Sequence, residues 1–140
     1  MRWVMAAGVT GFLLGILVVA DTFRPGGLLL PDGLELVLPM PFAIGSLIAV
    51  IYTLARRGPN RVPRDGLKQV FAEVPVAVRY GLNVVLAAGA IGGAFFMSAA
   101  RFNHLALVRG CLCPVIVLSS FAAALAYGLH RLRRRGVDLL

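Results

Sequence analysis

The residues of this chain best suited to chemistry are its two cysteines, Cys111 and Cys113, one residue apart in "RGCLCPVIVLSS". Paired thiols suggest metal binding or disulfide exchange. A structural zinc site typically takes four ligands, and only His104 lies close enough in sequence to join the two sulfurs. Dithiol oxidoreductases read as Cys-x-x-Cys. This chain has Cys-x-Cys, with no second pair to pass a disulfide on. On a helix, residues two apart point to nearly opposite sides, so a bond between them needs an irregular backbone. Cys111 and Cys113 are therefore retained as a candidate redox pair, against a plainer reading as two small packing residues ahead of Pro114.

Other chemistry is thinner still. No glycine-rich phosphate loop follows a strand, and no pair of carboxylates stands at useful spacing. A serine nucleophile would need a base, but His104 and His130 fall on opposite faces of the membrane in the layout derived below. The sequence is thus expected to hold no catalytic residue, no cofactor and no metal.

The elements that must position these residues follow from composition. Hydrophobic residues make up 59% of the chain and charged residues 14%, against about 25% charged in a soluble domain. Such a chain cannot clothe a globule in water. Four runs lack charged side chains, at 3–20, 36–55, 80–100 and 110–130. Each approaches the roughly 20 helical residues that cross a bilayer, and in lipid a helix satisfies its own backbone amides. The expectation is an all-α integral membrane bundle of four transmembrane helices, one domain over 1–140. The net charge of +8 sits on connectors and tail, which orients a membrane protein and does not call for nucleic acid.

Charge sets the direction. Connector 56–79 holds Arg56, Arg57, Arg61, Arg64, Lys68 and Arg79 against Asp65 and Glu73; the tail, 131–140, holds Arg131, Arg133, Arg134 and Arg135. By the positive-inside rule both are cytoplasmic, with Arg2 and the N-terminus, in a plasma (inner) membrane. These ten basic residues are the candidate lipid-headgroup contacts. Arg101 and Arg109 remain on the outer side, against the trend. Span one can also be read as a signal peptide ending at Val18-Val19-Ala20, but its apolar run exceeds the usual h-region of about 7–15 residues. A retained helix is the expectation.

Helices in lipid associate through close packing and polar contacts, with small residues at four-residue spacing. Gly11 and Gly15, Gly89 and Gly93, and Ser120, Ala124 and Gly128 are the candidate packing positions, serving either seams within one bundle or a homo-oligomer. All six acids fall in connectors or tail. Asn83 is the most polar side chain near a span and is placed in the first turn of the third. Tyr52, Tyr80 and Tyr127 fall near span ends, where aromatic belts form.

In the second connector, Leu67, Val70, Phe71 and Val74 recur on one helical face, with Lys68, Gln69 and Glu73 opposite. Asp65 suits the N-cap and Pro75 ends the segment. We expect a short amphipathic interfacial helix between spans two and three, lying on the inner membrane surface; docking of a partner is the alternative. The outer connector, with Pro31-Asp32-Gly33 between leucine-rich arms, suggests a hairpin or partly buried loop. Pro39 and Pro41 fall at the entry of span two, where early helical amides lack partners.

"EVPVAVRYGLNVV" entering span three and "RFNHLALVRG" before span four resemble a group of small four-span bacterial inner-membrane proteins of unknown function. In that group a Pro-x-x-x-Arg stretch precedes span three, and Pro75 and Arg79 are the matching positions. The resemblance implies layout alone. Where that group has an aromatic-rich start to span four, this chain has Cys111 and Cys113. The expected role is a non-enzymatic accessory, assembly or scaffold component, partnered by a bilayer with anionic headgroups and by itself or another membrane protein. The alternatives are an oligomeric small-solute transporter or channel, with Asn83, Ser119, Ser120 and the glycine seams lining a path, and a thiol-redox membrane enzyme.

Overall fold

The computed structural model describes residues 2–25, 34–55, 64–101 and 103–135. Among them the elements are all helical: α1 (Arg2–Thr22), α2 (Leu34–Val37), α3 (Met40–Ala55), α4 (Arg64–Ala72), α5 (Val76–Ala99) and α6 (His104–Arg134). Four stretches are long and apolar enough to cross a membrane: α1, Leu34–Ala55, α5 and α6. At about 1.5 Å per residue, α3 alone falls short of a hydrocarbon core of about 30 Å. It reaches that span only with α2 and the turn at Leu38 and Pro39 added.

The four long helices run up, down, up and down. Gly8, Gly11 and Gly15 of α1 face Ala123, Ser119 and Ile116 of α6 in that order, so the two are antiparallel. Likewise Gly93 of α5 meets Cys113 and Met97 meets Gly110. α6 is the centre: among the described residues α1, α3, α4 and α5 all pack on it, α1 also packs on α3, and α5 packs chiefly on α6. Glycine at these crossings lets the helix backbones approach closely, which is where dispersion contacts become dense. A Cβ on Gly8 would stand 2.9 Å from the Ala123 backbone nitrogen, so that crossing depends on its absence.

Two apolar clusters hold the ends of the bundle. At one end Val50, Val70, Ala126, Leu129 and Leu132 are buried together; at the other, Val18, Val108 and Leu112 pack with Val19 and Leu36. Hydroxyls within the helices are satisfied locally. Ser119 Oγ donates to the Val115 carbonyl at 2.7 Å, and Ser46, Thr53 and Ser120 make equivalent bonds. Such back-bonding lets a polar side chain sit in an apolar interior.

Several expectations require correction. The second arm of the outer connector is not a strand or loop, because Leu34–Val37 is helical and leads into α3; the Pro31–Gly33 turn lies outside the described residues. Span four starts at 104 instead of 110, capped by Asn103, whose side chain accepts from the Leu105 amide at 2.9 Å. It also continues through Arg131, Arg133 and Arg134, which are helical and not a separate tail. Pro114 therefore lies inside the helix and not in its first turn. A proline is tolerated there because neighbouring helices and small backbone adjustments compensate for the missing amide. Span three starts at Val76, immediately after Pro75, which moves Asn83 into the second turn.

The connector helix forms as α4, but it packs on the bundle and does not merely lie beside it. Val70 and Val74 are buried, Val70 sits against Gly128, and Phe71 meets Phe121 edge-on at 6.4 Å. Its apolar face is covered by α6 at Val70 and in part at Phe71, while Leu67 at its start stays exposed.

Candidate functional site

The most organised polar structure joins the C-terminal end of α1, the short α2 and the first turns of α6. Residues 104–109 form a helical turn because Asn103 caps them, and this places Arg109 beside the end of α1. Arg109 Nε donates to Thr22 Oγ1 at 2.9 Å, and its Nη2 donates to the Thr22 carbonyl. Thr22 Oγ1 in turn donates to the Val19 carbonyl at 2.6 Å. A helix C-terminus presents orphan carbonyls and a negative dipole end, so a guanidinium is matched to it twice over. The guanidinium also lies 3.9 Å from the centroid of the Phe23 ring and 5.7 Å from that of Phe96, tying α1, α5 and α6 together through cation–π contact.

One helical turn earlier on α6, His104 Nε2 lies 3.3 Å from Glu35 Oε1. Glu35 is 0% exposed and His104 is mostly exposed. This overturns two readings of the sequence. Glu35 is not a solvated connector charge but a carboxylate enclosed within the bundle, and Arg109 is not a stray loop cation but part of α6. The sequence carried a signal for the second: Asn103 followed by an apolar run is a helix start, which brings Arg109 into the helix. Nothing local indicated that Glu35 would be enclosed.

Cys111 and Cys113 both lie on regular α6 helix as free thiols. Cys113 faces Gly92 and Gly93 of α5: a Cβ on Gly92 would stand 3.6 Å from its Sγ and one on Gly93 3.6 Å from its Cβ. The pair is therefore divided between directions, with Cys113 in the α5 seam. Among the described residues no group of three or more His, Cys, Asp or Glu is placed to hold a metal.

The candidate packing residues serve different surfaces. Gly11 lies against Ser119 and Phe42, Gly15 against Ile116, Gly89 against Val117, Gly93 against Cys113 and Gly128 against Val70. Ser120 and Ala124 instead line an apolar groove between α1 and α5. Asn83 lies elsewhere, exposed on α5. Within one chain Asn83, Ser119 and Ser120 thus share no common path: one is on the outside, one is buried, and one faces the groove.

The basic residues collect at the opposite end from Glu35. Arg2, Trp3, His130, Arg133 and Arg134 surround one hollow. Arg131 is exposed beside it, and Arg135 donates to Glu73 Oε1 at 2.6 Å. Lys68 is exposed on α4, and Arg79 is exposed in the first turn of α5. Arg56, Arg57 and Arg61 lie outside the described residues, as does the side chain of Arg64.

No protein-family model, curated protein or solved structure matches this chain. The layout resemblance noted from the sequence accordingly carries no family assignment, and function is argued from the geometry alone.

Proposed function

We propose that the chain is a multi-pass plasma-membrane protein, with the basic α4 end in the cytoplasm, acting as a non-enzymatic accessory or assembly component through lateral helix contact. The observation that carries this reading is the state of α5. Of its 24 residues Leu82 alone is buried, and the helix packs on α6 with its far side uncovered. That far side bears Asn83, Ala87, Ala90 and Ala94, all exposed at spacings of four, three and four residues. A carboxamide facing hydrocarbon lacks the hydrogen bonds that a second helix supplies, and small residues beside it let that helix approach. The face is therefore suited to a transmembrane partner.

Affinity purification of the full chain in mild detergent tests this. The wild type is expected to retain a membrane partner that Asn83→Leu loses, while Ile91→Leu keeps it. Identical recovery by all three refutes association through α5. Orientation is tested separately by a periplasmic reporter fused after Arg135, which is expected to be silent; activity there reverses the topology.

A second reading, an oligomeric small-solute transporter, draws on the enclosed Glu35 beside His104, because ionisable groups inside a membrane bundle commonly mark solute or proton pathways. It predicts a flux in proteoliposomes that Glu35→Gln abolishes. Absence of flux together with partner recovery favours the accessory role.

A further inference from the structure

α1 and α5 flank α6 with little contact between them among the described residues, and the space between them is a groove of about 590 Å³ floored by α6. This falls within the range of about 300–1,000 Å³ typical of small-ligand sites. Met5, Phe12, Val78, Leu82 and Val85 form its walls. Its two hydroxyls belong to Tyr127 and Ser120, and Ser120 Oγ is already bonded to the Val117 carbonyl at 2.7 Å. The fitting occupant is hydrocarbon.

We infer that this groove holds one acyl chain of an anionic phospholipid whose headgroup rests on the arginines at its basic end. Both helical walls lead to that headgroup position. On α1 the groove-lining residues Phe12, Val9 and Met5 continue at helical spacing to Arg2. On α6 Ser120, Ala124 and Tyr127 continue to Arg131 and Arg134, four and seven residues beyond the tyrosine. Such steps keep side chains on one helical face. Among the described residues no carboxylate pairs with Arg2, Arg131 or Arg134, and nearby Glu73 is engaged by Arg135. The charge at the mouth therefore calls for an external anion.

A second copy of the chain is a poorer occupant. Inserted in the same orientation, it would bring its own arginines to the same level and place like charges together. A lipid supplies both parts at once, a chain for the groove and a phosphate for the guanidinium groups, whose planar donors match phosphate oxygens. Basic pockets between transmembrane helices are known to take lipid headgroups in this way.

The site rests on the membrane reading above, and one experiment separates the two. Trp3, the single tryptophan, is 87% exposed and lines the basic hollow with Arg2 and Arg134. Its fluorescence is read in proteoliposomes of the full chain containing phosphatidylglycerol or phosphatidylcholine brominated high on the acyl chain. At equal mole fraction the anionic phosphatidylglycerol is expected to quench with a preference of about fivefold or more. Arg131→Gln with Arg134→Gln should reduce that preference toward unity.

The second variant is Gly81→Phe. Gly81 lines the groove, and a Cβ there would meet nothing within 4 Å, so the side chain starts in open space and the ring is placed to occupy the groove. It should likewise abolish the preference while quenching by phosphatidylcholine persists. A preference that survives Gly81→Phe overturns the site and leaves diffuse attraction to the arginines. Equal quenching by both lipids in the wild type overturns it as well, as does disulfide-linked dimer formation by Gly81→Cys in a chain carrying Cys111→Ser and Cys113→Ser. Quenching by neither lipid removes the membrane reading itself, and the site with it.

Discussion

Gly128→Ala examines the least obvious packing contact, that of α4 on α6. A Cβ at Gly128 would stand 2.5 Å from the Val70 carbonyl oxygen and 2.8 Å from Val70 Cγ1. The closer atom belongs to the backbone of α4, so no rotamer change relieves the clash and α4 must move away. Overpacking of this kind costs about 1–3 kcal/mol. Any glycine-to-alanine change in a helix also gains up to about 1 kcal/mol in propensity, which obscures the cost if one variant is measured alone. Gly45→Ala supplies the reference: Gly45 is inside α3, and a Cβ there would meet nothing within 4 Å. The difference between the two variants cancels propensity, leaving Gly128→Ala less stable than Gly45→Ala by about 1–3 kcal/mol. Unfolding by SDS in mixed micelles, followed by circular dichroism, measures that difference. A value below about 0.5 kcal/mol, the scatter of uninvolved surface substitutions, refutes the packing of α4 on Gly128 and returns α4 to the membrane surface.

Arg109→Ala removes two charge-assisted hydrogen bonds to Thr22 and should destabilise the chain by about 3–6 kcal/mol in the same assay, given about 1.5–3 kcal/mol for each such bond; Arg109→Lys should recover part of this, and a cost under about 1 kcal/mol for the alanine variant refutes the clamp. Under denaturing, non-reducing alkylation, Cys111 and Cys113 should both be labelled, since they are free thiols on one regular helix; a mass showing neither modified indicates a disulfide and revives redox chemistry. Glu73→Gln should cost no more than about 1 kcal/mol, because its partner Arg135 is largely solvent-exposed and such pairs are weak. A loss above about 2 kcal/mol would show a buried and structurally decisive pair.

The four apolar runs and their spacing identify the long helices, and misplacement concentrated at their ends. The first charged residue marks the limit of each apolar run but not of each helix. A helix continues past that point when its charged side chains have somewhere to go: Arg109 reaches the end of α1 and two aromatic rings, while Arg131 and Arg134 emerge at the basic end. The Asn103 cap, not among the expectations above, was within reach of a local reading because capping depends on a few adjacent residues. The enclosure of Glu35 was not, since it needs α2 folded beneath α6, with His104 arriving from 69 residues further along the chain.

The cysteines illustrate the same division. Their i, i+2 spacing on a helix already separates the thiols, since side-chain direction follows from backbone geometry. That Cys113 faces two glycines of α5 depends on the register between helices, which no local pattern specifies.

Composition and periodicity alone determine that this chain forms long apolar helices with a basic second connector and a basic C-terminal end, because hydropathy and helix propensity act residue by residue. Only the tertiary structure decides that α6 is the centre, that α5 stands with one face uncovered, and that a groove opens beside it toward a ring of arginines. In an apolar bundle almost any helix face can be buried, so hydropathy does not choose among arrangements. The choice rests on where glycines permit backbones to close and where a few polar groups, Arg109 and Glu35 above all, find their partners.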